Sequence, residues 1–133
     1  MKVAQLFLGV SFLAHWLACI WSLISILYTP ISDALDSEGR PMPLTWVAKY
    51  IRDQQDLGVQ VGGHDVYIAA LYWSIMTLTS IGYGDFVPVN SVERALCSVY
   101  MVVSAGGWAY VIGTAAGIAA TLDPNSVIYH TTM

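Results

Sequence analysis

Thr79-Ser80-Ile81-Gly82-Tyr83-Gly84-Asp85 is the stretch on which the reading of this chain turns. Its two glycines alternate with bulky residues and come directly after an apolar run, Val66 to Thr79, that Asp65 precedes. As a helix that run is about 21 Å long, too short to cross a hydrocarbon core of ~30 Å. Asp65 is its expected N-cap, and Pro88 follows the glycines.

Two longer apolar segments flank this unit. Residues 3–28 carry no formal charge with His15 neutral, and as a helix they reach about 39 Å. Pro30 marks the stop. The segment is too long for a signal-peptide core and has no clean cleavage site, so it reads as a retained membrane helix. Residues 95–122 are also uncharged and dense in Gly, Ala and Ser, with Gly113 and Gly117 in a GxxxG spacing that allows close helix approach. Asp123-Pro124 ends or bends this span. Residues 29–65 are polar, with Asp33, Asp36, Glu38, Arg40, Lys49, Arg52, Asp53, Asp56 and Asp65. Within them Thr45 to Gln55 reads as a short amphipathic helix, with Trp46, Val47, Tyr50 and Ile51 along one side.

Composition excludes several classes. Hydrophobic residues make up 56% of the chain, charged residues 11%, and the mean hydropathy is +0.61. A soluble domain carries about 25% charged residues, so this surface faces lipid or protein. The net charge of −4 lacks the basic clusters of a nucleic-acid binder. Cys19 and Cys97 lie in apolar stretches and read as buried thiols, not a disulfide framework. His64 and His130 stand at no metal-ligand spacing. Gly82-x-Gly84 lacks the third glycine of a dinucleotide loop, Val87 standing in its place. No nucleophile elbow, zinc-protease helix or P-loop is present, so neither catalysis nor a cofactor is expected. His15 is expected to find one partner on a neighbouring helix, and Trp16, Trp21 and Trp46 read as interfacial anchors.

The order of segments has a physical consequence. Irregular backbone cannot face lipid, because each unmet amide or carbonyl there costs several kcal/mol. Two spans cannot enclose it, so several copies must assemble around the Gly-x-Gly strip. The expected architecture is an all-α membrane tetramer. Its parts are an outer helix 3–28, a loop 29–65, a pore helix 66–79, a strip 80–85 on the common axis, and an inner helix 95–122. On such an axis a row of carbonyl oxygens can replace a cation's hydration shell. Pointing successive carbonyls one way requires alternating backbone handedness, which Gly82 and Gly84 permit at φ > 0. Ile81 and Tyr83 would point outward and brace the strip, and Ser80 adds a hydroxyl at its inner end. The preceding helix aims its partly negative C-terminus at the cavity below.

Thr79 to Asp85 resembles the potassium-channel signature T-x-G-Y-G-D, with Ser80 where Thr and Ile81 where Val are usual. Tyr72-Trp73 resembles the aromatic pair that holds the filter tyrosine, and Asp85 the residue that hydrogen-bonds into that cuff. His15-Trp16-Leu17-Ala18-Cys19-Ile20-Trp21 is similar to the outer helix of the EAG-like, HCN and cyclic-nucleotide-gated branch, and Trp108-Ala109, Gly113 and Thr121-Leu122-Asp123 to its inner helix. The resemblance implies a potassium-selective pore, with K⁺ as permeant ion held by Ser80, Ile81, Gly82 and Tyr83. It implies a gate or cavity at Ser104, Gly106, Gly107, Trp108, Ile112 and Gly113. Trp108 and Ile112, four residues apart, would both face that cavity. Partners are then the bilayer and three further copies, in a plasma membrane with both termini cytoplasmic. That branch carries further helices upstream and a nucleotide-binding domain downstream, so a piece of a voltage- or nucleotide-gated channel is expected rather than a minimal two-span channel.

With the strip's mouth outside, eight of the nine acidic and four of the five basic residues lie there, −4 per subunit, a field that concentrates cations. This offends the positive-inside tendency, since only Lys2 is inside. A non-selective cation pore and a non-conducting two-span assembly subunit are the alternative functions.

Overall fold

The computed structural model describes residues 2–27, 35, 37 and 39–122. They form four helices: α1 (Lys2–Leu27), α2 (Trp46–Asp56), α3 (Gly63–Leu78) and α4 (Ser91–Leu122). Two contain stretches long and apolar enough to cross a membrane, Ala4–Leu27 and Ser91–Ala120. The 16 residues of α3 reach only about 24 Å. The expected stops at Tyr28-Pro30 and Asp123-Pro124, the acids Asp33, Asp36 and Glu38, and His130 lie outside the described residues.

Helix starts differ from the sequence expectation, for reasons visible in the caps. Gly62, not Asp65, is the N-cap of α3. Asp65 sits in the first turn and its Oδ2 accepts the Gly62 N–H at 2.8 Å, so the helix begins three residues early without a side chain at the cap. α4 begins at Ser91 rather than Ala95 because Asn90 Oδ1 accepts the Glu93 N–H at 2.8 Å, which draws Glu93 and Arg94 into the helix. α2 is capped by Thr45, whose Oγ1 accepts the Ala48 N–H at 3.2 Å.

The core lies where α1 and α3 press together, with α4 and α2 closing its sides. Ala14, Leu17, Ala18 and Trp21 form a buried stripe on α1, and Val66, Ala69, Ala70 and Trp73 a stripe of the same spacing on α3. Cys97 and Tyr100 of α4 and Trp46 and Val47 of α2 complete the cluster. Alanines at the crossing let the backbones approach, and the tryptophans fill the wider end. Trp21 stacks on Trp73 with ring centroids 4.2 Å apart and on Trp46 at 5.6 Å, both nearly parallel. Each such pair stabilises by about 0.5–1.5 kcal/mol beyond its buried area. Trp21 and Trp46 are therefore core residues, 0% and 2% exposed, which corrects the interfacial reading; Trp16 stays on the surface. Cys97 is buried as expected, but Cys19 is exposed, its Sγ 3.6 Å from His15 Nε2. His15 does find a partner on a neighbouring helix: its Nδ1 shares a 2.8 Å hydrogen bond with the Tyr67 hydroxyl of α3.

Candidate functional site

The signature segment begins where α3 ends, and the way α3 ends sets its geometry. Thr79 is the C-cap, and its hydroxyl donates to Ile75 O at 2.8 Å. Ser80 N–H then donates to Thr77 O at 3.2 Å and Ile81 N–H to Met76 O at 2.9 Å. These two bonds make a Schellman motif, whose first residue beyond the cap must be left-handed. That residue is Ser80, at φ 61°, a position glycine usually holds.

From there the handedness alternates. Ser80, Gly82 and Gly84 have φ of 61°, 57° and 79°, while Ile81 and Tyr83 between them are not left-handed. Alternation of this kind turns successive carbonyls toward one side. The sequence points to it at the two glycines; at Ser80 it gives no sign, because only the helix ending demands it. The Gly82 N–H also reaches Met76 O, at 3.3 Å, but the cap requires a left-handed residue only at Ser80, so helix termination does not account for the positive φ of Gly82.

Residues 80–85 are all exposed, Ile81 at 55% and Tyr83 at 72%, so this chain alone does not brace the strip. The tethers lie just beyond it. The Asp85 side chain beside Tyr72, by its hydrogen-bonding influence first and with smaller contributions from burial and the carboxylate charge, raises the tyrosine pKa above its ordinary 10.0. Asp85 Oδ1 also accepts the Phe86 N–H at 3.1 Å. Phe86, which sequence reasoning passed over, is the hub of the outer aromatic group, its ring 5.6–6.0 Å from those of Tyr50, Tyr72 and Trp46. An aromatic residue directly after the signature was the available signal. The pair Tyr72-Trp73 divides: Tyr72 reaches toward Asp85, while Trp73 is 3% exposed and turned into the core against Trp21 and Tyr100.

The inner-helix residues do not form one cluster. Ser104 is buried with its hydroxyl unbonded among the described residues. Gly107 and Trp108 line a cleft of about 500 Å³ with Gln5, Gly9, Leu13 and Leu78. Ile112 is 55% exposed, and Gly106 and Gly113 are also on the surface. Within one chain Trp108 lies in the cleft and Ile112 on an open face, because a four-residue step still rotates part of the way around the helix. Two of the acids counted at the mouth have specific settings. Glu93 is fully buried, and the exposed Asp56 pairs with Arg40 at 2.7 Å.

Two apolar spans around a short capped helix that feeds a strip of alternating handedness describe the pore segment of an ion channel. The chain belongs to the ion-channel family, which residues 46–120 match. It is a membrane protein, and its kinship is with channels rather than enzymes. It is 32% identical over 112 residues to "Potassium channel KAT3" of Arabidopsis thaliana, covering 84% of this chain and 15% of that protein. Over 125 residues it is 30% identical to "Voltage-gated inwardly rectifying potassium channel KCNH6" of Rattus norvegicus, 91% of this chain and 12% of that one. A 47-residue stretch is 51% identical to "Potassium channel AKT2/3" of Arabidopsis thaliana, 35% and 6% of the two chains. The chain spans 15% or less of the length of these relatives.

Proposed function

We propose that this chain forms the pore of a potassium-selective channel, through which K⁺ crosses a plasma membrane passively. Four copies surround one axis, α3 enters the membrane without crossing it, and residues 80–85 are the selectivity filter. The carbonyls of Ser80, Ile81, Gly82 and Tyr83 ligate the ion, and Thr79 and Asp85 bound the filter. Tyr72 fixes its outer end through Asp85. Trp73 supports it from behind by anchoring α3 in the core. Ile112, with the small residues Ser104, Gly106, Gly107 and Gly113, belongs to the cavity-lining inner helix; both termini are cytoplasmic.

The observation that carries this reading is the alternating φ at Ser80, Gly82 and Gly84. A helix cap needs one left-handed residue; a carbonyl-lined ion path needs a succession of them. The exposure of Ile81 and Tyr83 supports assembly, because polar backbone at membrane depth must be enclosed by protein. The names of the relatives support K⁺ as the ion. The test is to purify the assembly, establish its mass, and measure K⁺ and Na⁺ flux in liposomes. Tetramers that pass K⁺ strongly in preference to Na⁺ are expected. Equal fluxes mean a non-selective pore, and no flux from intact tetramers means an assembly subunit.

A further inference from the structure

Glu93, in the first turn of α4, is 0% exposed and is the only charged side chain in the core among the described residues. A buried carboxylate is costly unless its oxygens are met by donors. Here each oxygen takes a different main-chain N–H. Oε1 accepts from Trp46 at 3.1 Å and Oε2 from Val89 at 2.8 Å. Beside it Asn90 Nδ2 donates to Leu44 O at 2.9 Å. In an ordinary capping box a Glu at this position reaches back to the N-cap N–H of its own helix. Glu93 instead serves the residue before the cap and the first residue of another helix.

The position of Val89 gives this arrangement its consequence. Residues 85–89 lead out of the strip, and the far end of this loop is held where the Val89 N–H donates to Glu93. Through the second oxygen the same carboxylate carries the N-terminus of α2. We propose that Glu93 is a positioning residue for ion selection: by fixing Val89 against α2 and α4 it holds the outer end of the strip in its conducting geometry, without touching the ion. This rests on the pore reading above.

The physics predicts a particular signature. Parallel carbonyls repel one another when no cation lies between them, so an occupied strip is stabilised by its ligand, by an amount that rises with the logarithm of ion concentration once the site is filled. A loosened clamp then shows most when K⁺ is scarce and is masked when K⁺ is abundant. Glu93→Gln keeps the shape but sets an amide NH₂ against one of two N–H donors, so one bond is lost.

The experiment measures K⁺ flux through wild-type, E93Q, Glu93→Asp and Ser25→Ala tetramers in liposomes. Ser25 Oγ accepts the Val47 N–H at 3.4 Å, so its removal loosens α2 but not Val89. We expect E93Q flux to fall about tenfold below wild type at external K⁺ of about 1 mM and to recover at about 100 mM, with Ser25→Ala unaffected at both. Equal flux in E93Q and wild type, or a loss that K⁺ does not reverse, overturns the proposal. So does a K⁺-reversible loss of the same size in Ser25→Ala. If E93Q does not assemble, Glu93→Asp takes its place, retaining charge with a shorter reach; absence of K⁺-reversible loss there, or failure to assemble, reduces Glu93 to a folding role and overturns the idea. Wild-type tetramers that pass no K⁺ overturn the pore reading and this proposal with it, whereas a conducting wild type with an indifferent E93Q sinks this proposal alone.

Discussion

The indole of Trp73 lies against that of Trp21, ring centroids 4.2 Å apart and planes 13° from parallel, and this contact joins the short helix α3 to the outer helix α1. Trp73 is six residues before the cap that launches the strip. The depth and rotation of the strip therefore follow from how one tryptophan seats on another. We expect Trp21→Ala to destabilise the assembly by about 3–5 kcal/mol, the usual loss for removing a large buried aromatic. Trp21→Phe should cost less, because a ring remains to stack. Thermal denaturation of the tetramer in detergent measures both.

Gly82→Ala separates a filter from a helix cap. Nothing lies within 4 Å of the position its Cβ would take, so the penalty is one of backbone alone, at φ 57°. It amounts to about 1–2 kcal/mol per subunit, and in the proposed tetramer it is borne four times around one axis. The expected outcome is tetramers that assemble but conduct nothing or no longer distinguish K⁺ from Na⁺. Retained K⁺ preference in paired K⁺ and Na⁺ current recordings would show that Gly82 does not form the filter.

Tyr72→Phe removes the hydroxyl that reaches Asp85. The Tyr72 pKa is raised in the folded chain, first by the hydrogen-bonding influence of the Asp85 side chain beside it. A group raised on folding contributes stability that is fully present below its unfolded pKa and is lost as pH rises through the folded value. Wild-type tetramers should therefore keep this contribution across neutral pH and lose it only above pH 10. The Phe variant should lack that alkaline component, so the stability difference between the two narrows as pH climbs. Denaturation midpoints from pH 7 to 11 check it.

Ile112 and Trp108 should part company in accessibility. Ile112 is open to its surroundings, while Trp108 is half-buried in the cleft against α1 and Leu78. Cysteine at Ile112 should react with water-soluble thiol reagents applied from the inner side and block current. Cysteine at Trp108 should react more slowly. Equal rates would place both on the axis.

The parts legible in the sequence are those that depend on neighbours along the chain. Hydropathy and length located the spans, and the Gly-x-Gly spacing marked the left-handed positions at Gly82 and Gly84. The amphipathic pattern from Thr45 to Gln55 marked α2 to within one residue at each end, with Thr45 its cap rather than its first helical residue. Helix starts were harder, since Gly62 with Asp65 reaching back, or Asp65 itself, caps a helix equally well on paper. What stayed hidden depends on juxtaposition. Ser80 is left-handed because two carbonyls of α3 claim the N–H groups around it. Trp21, Trp46 and Trp73 lie far apart in sequence, and nothing local tells a core tryptophan from a membrane anchor. Glu93 read as one more acid near the mouth, since its donors come from Val89 and from Trp46, 47 positions away.

The start of α2 bears on the order in which the chain folds. Of its first three N–H groups only that of Ala48 is met by a neighbouring side chain, Thr45; Trp46 relies on Glu93 and Val47 on Ser25, from the two spanning helices. An 11-residue helix is marginal by itself in water. α2 therefore has a stable start only after α1 and α4 have come together around it, which makes it a late step in folding. Protection of its amides against hydrogen exchange should appear with that docking, and the loop helix becomes a clock for the arrival of the membrane spans.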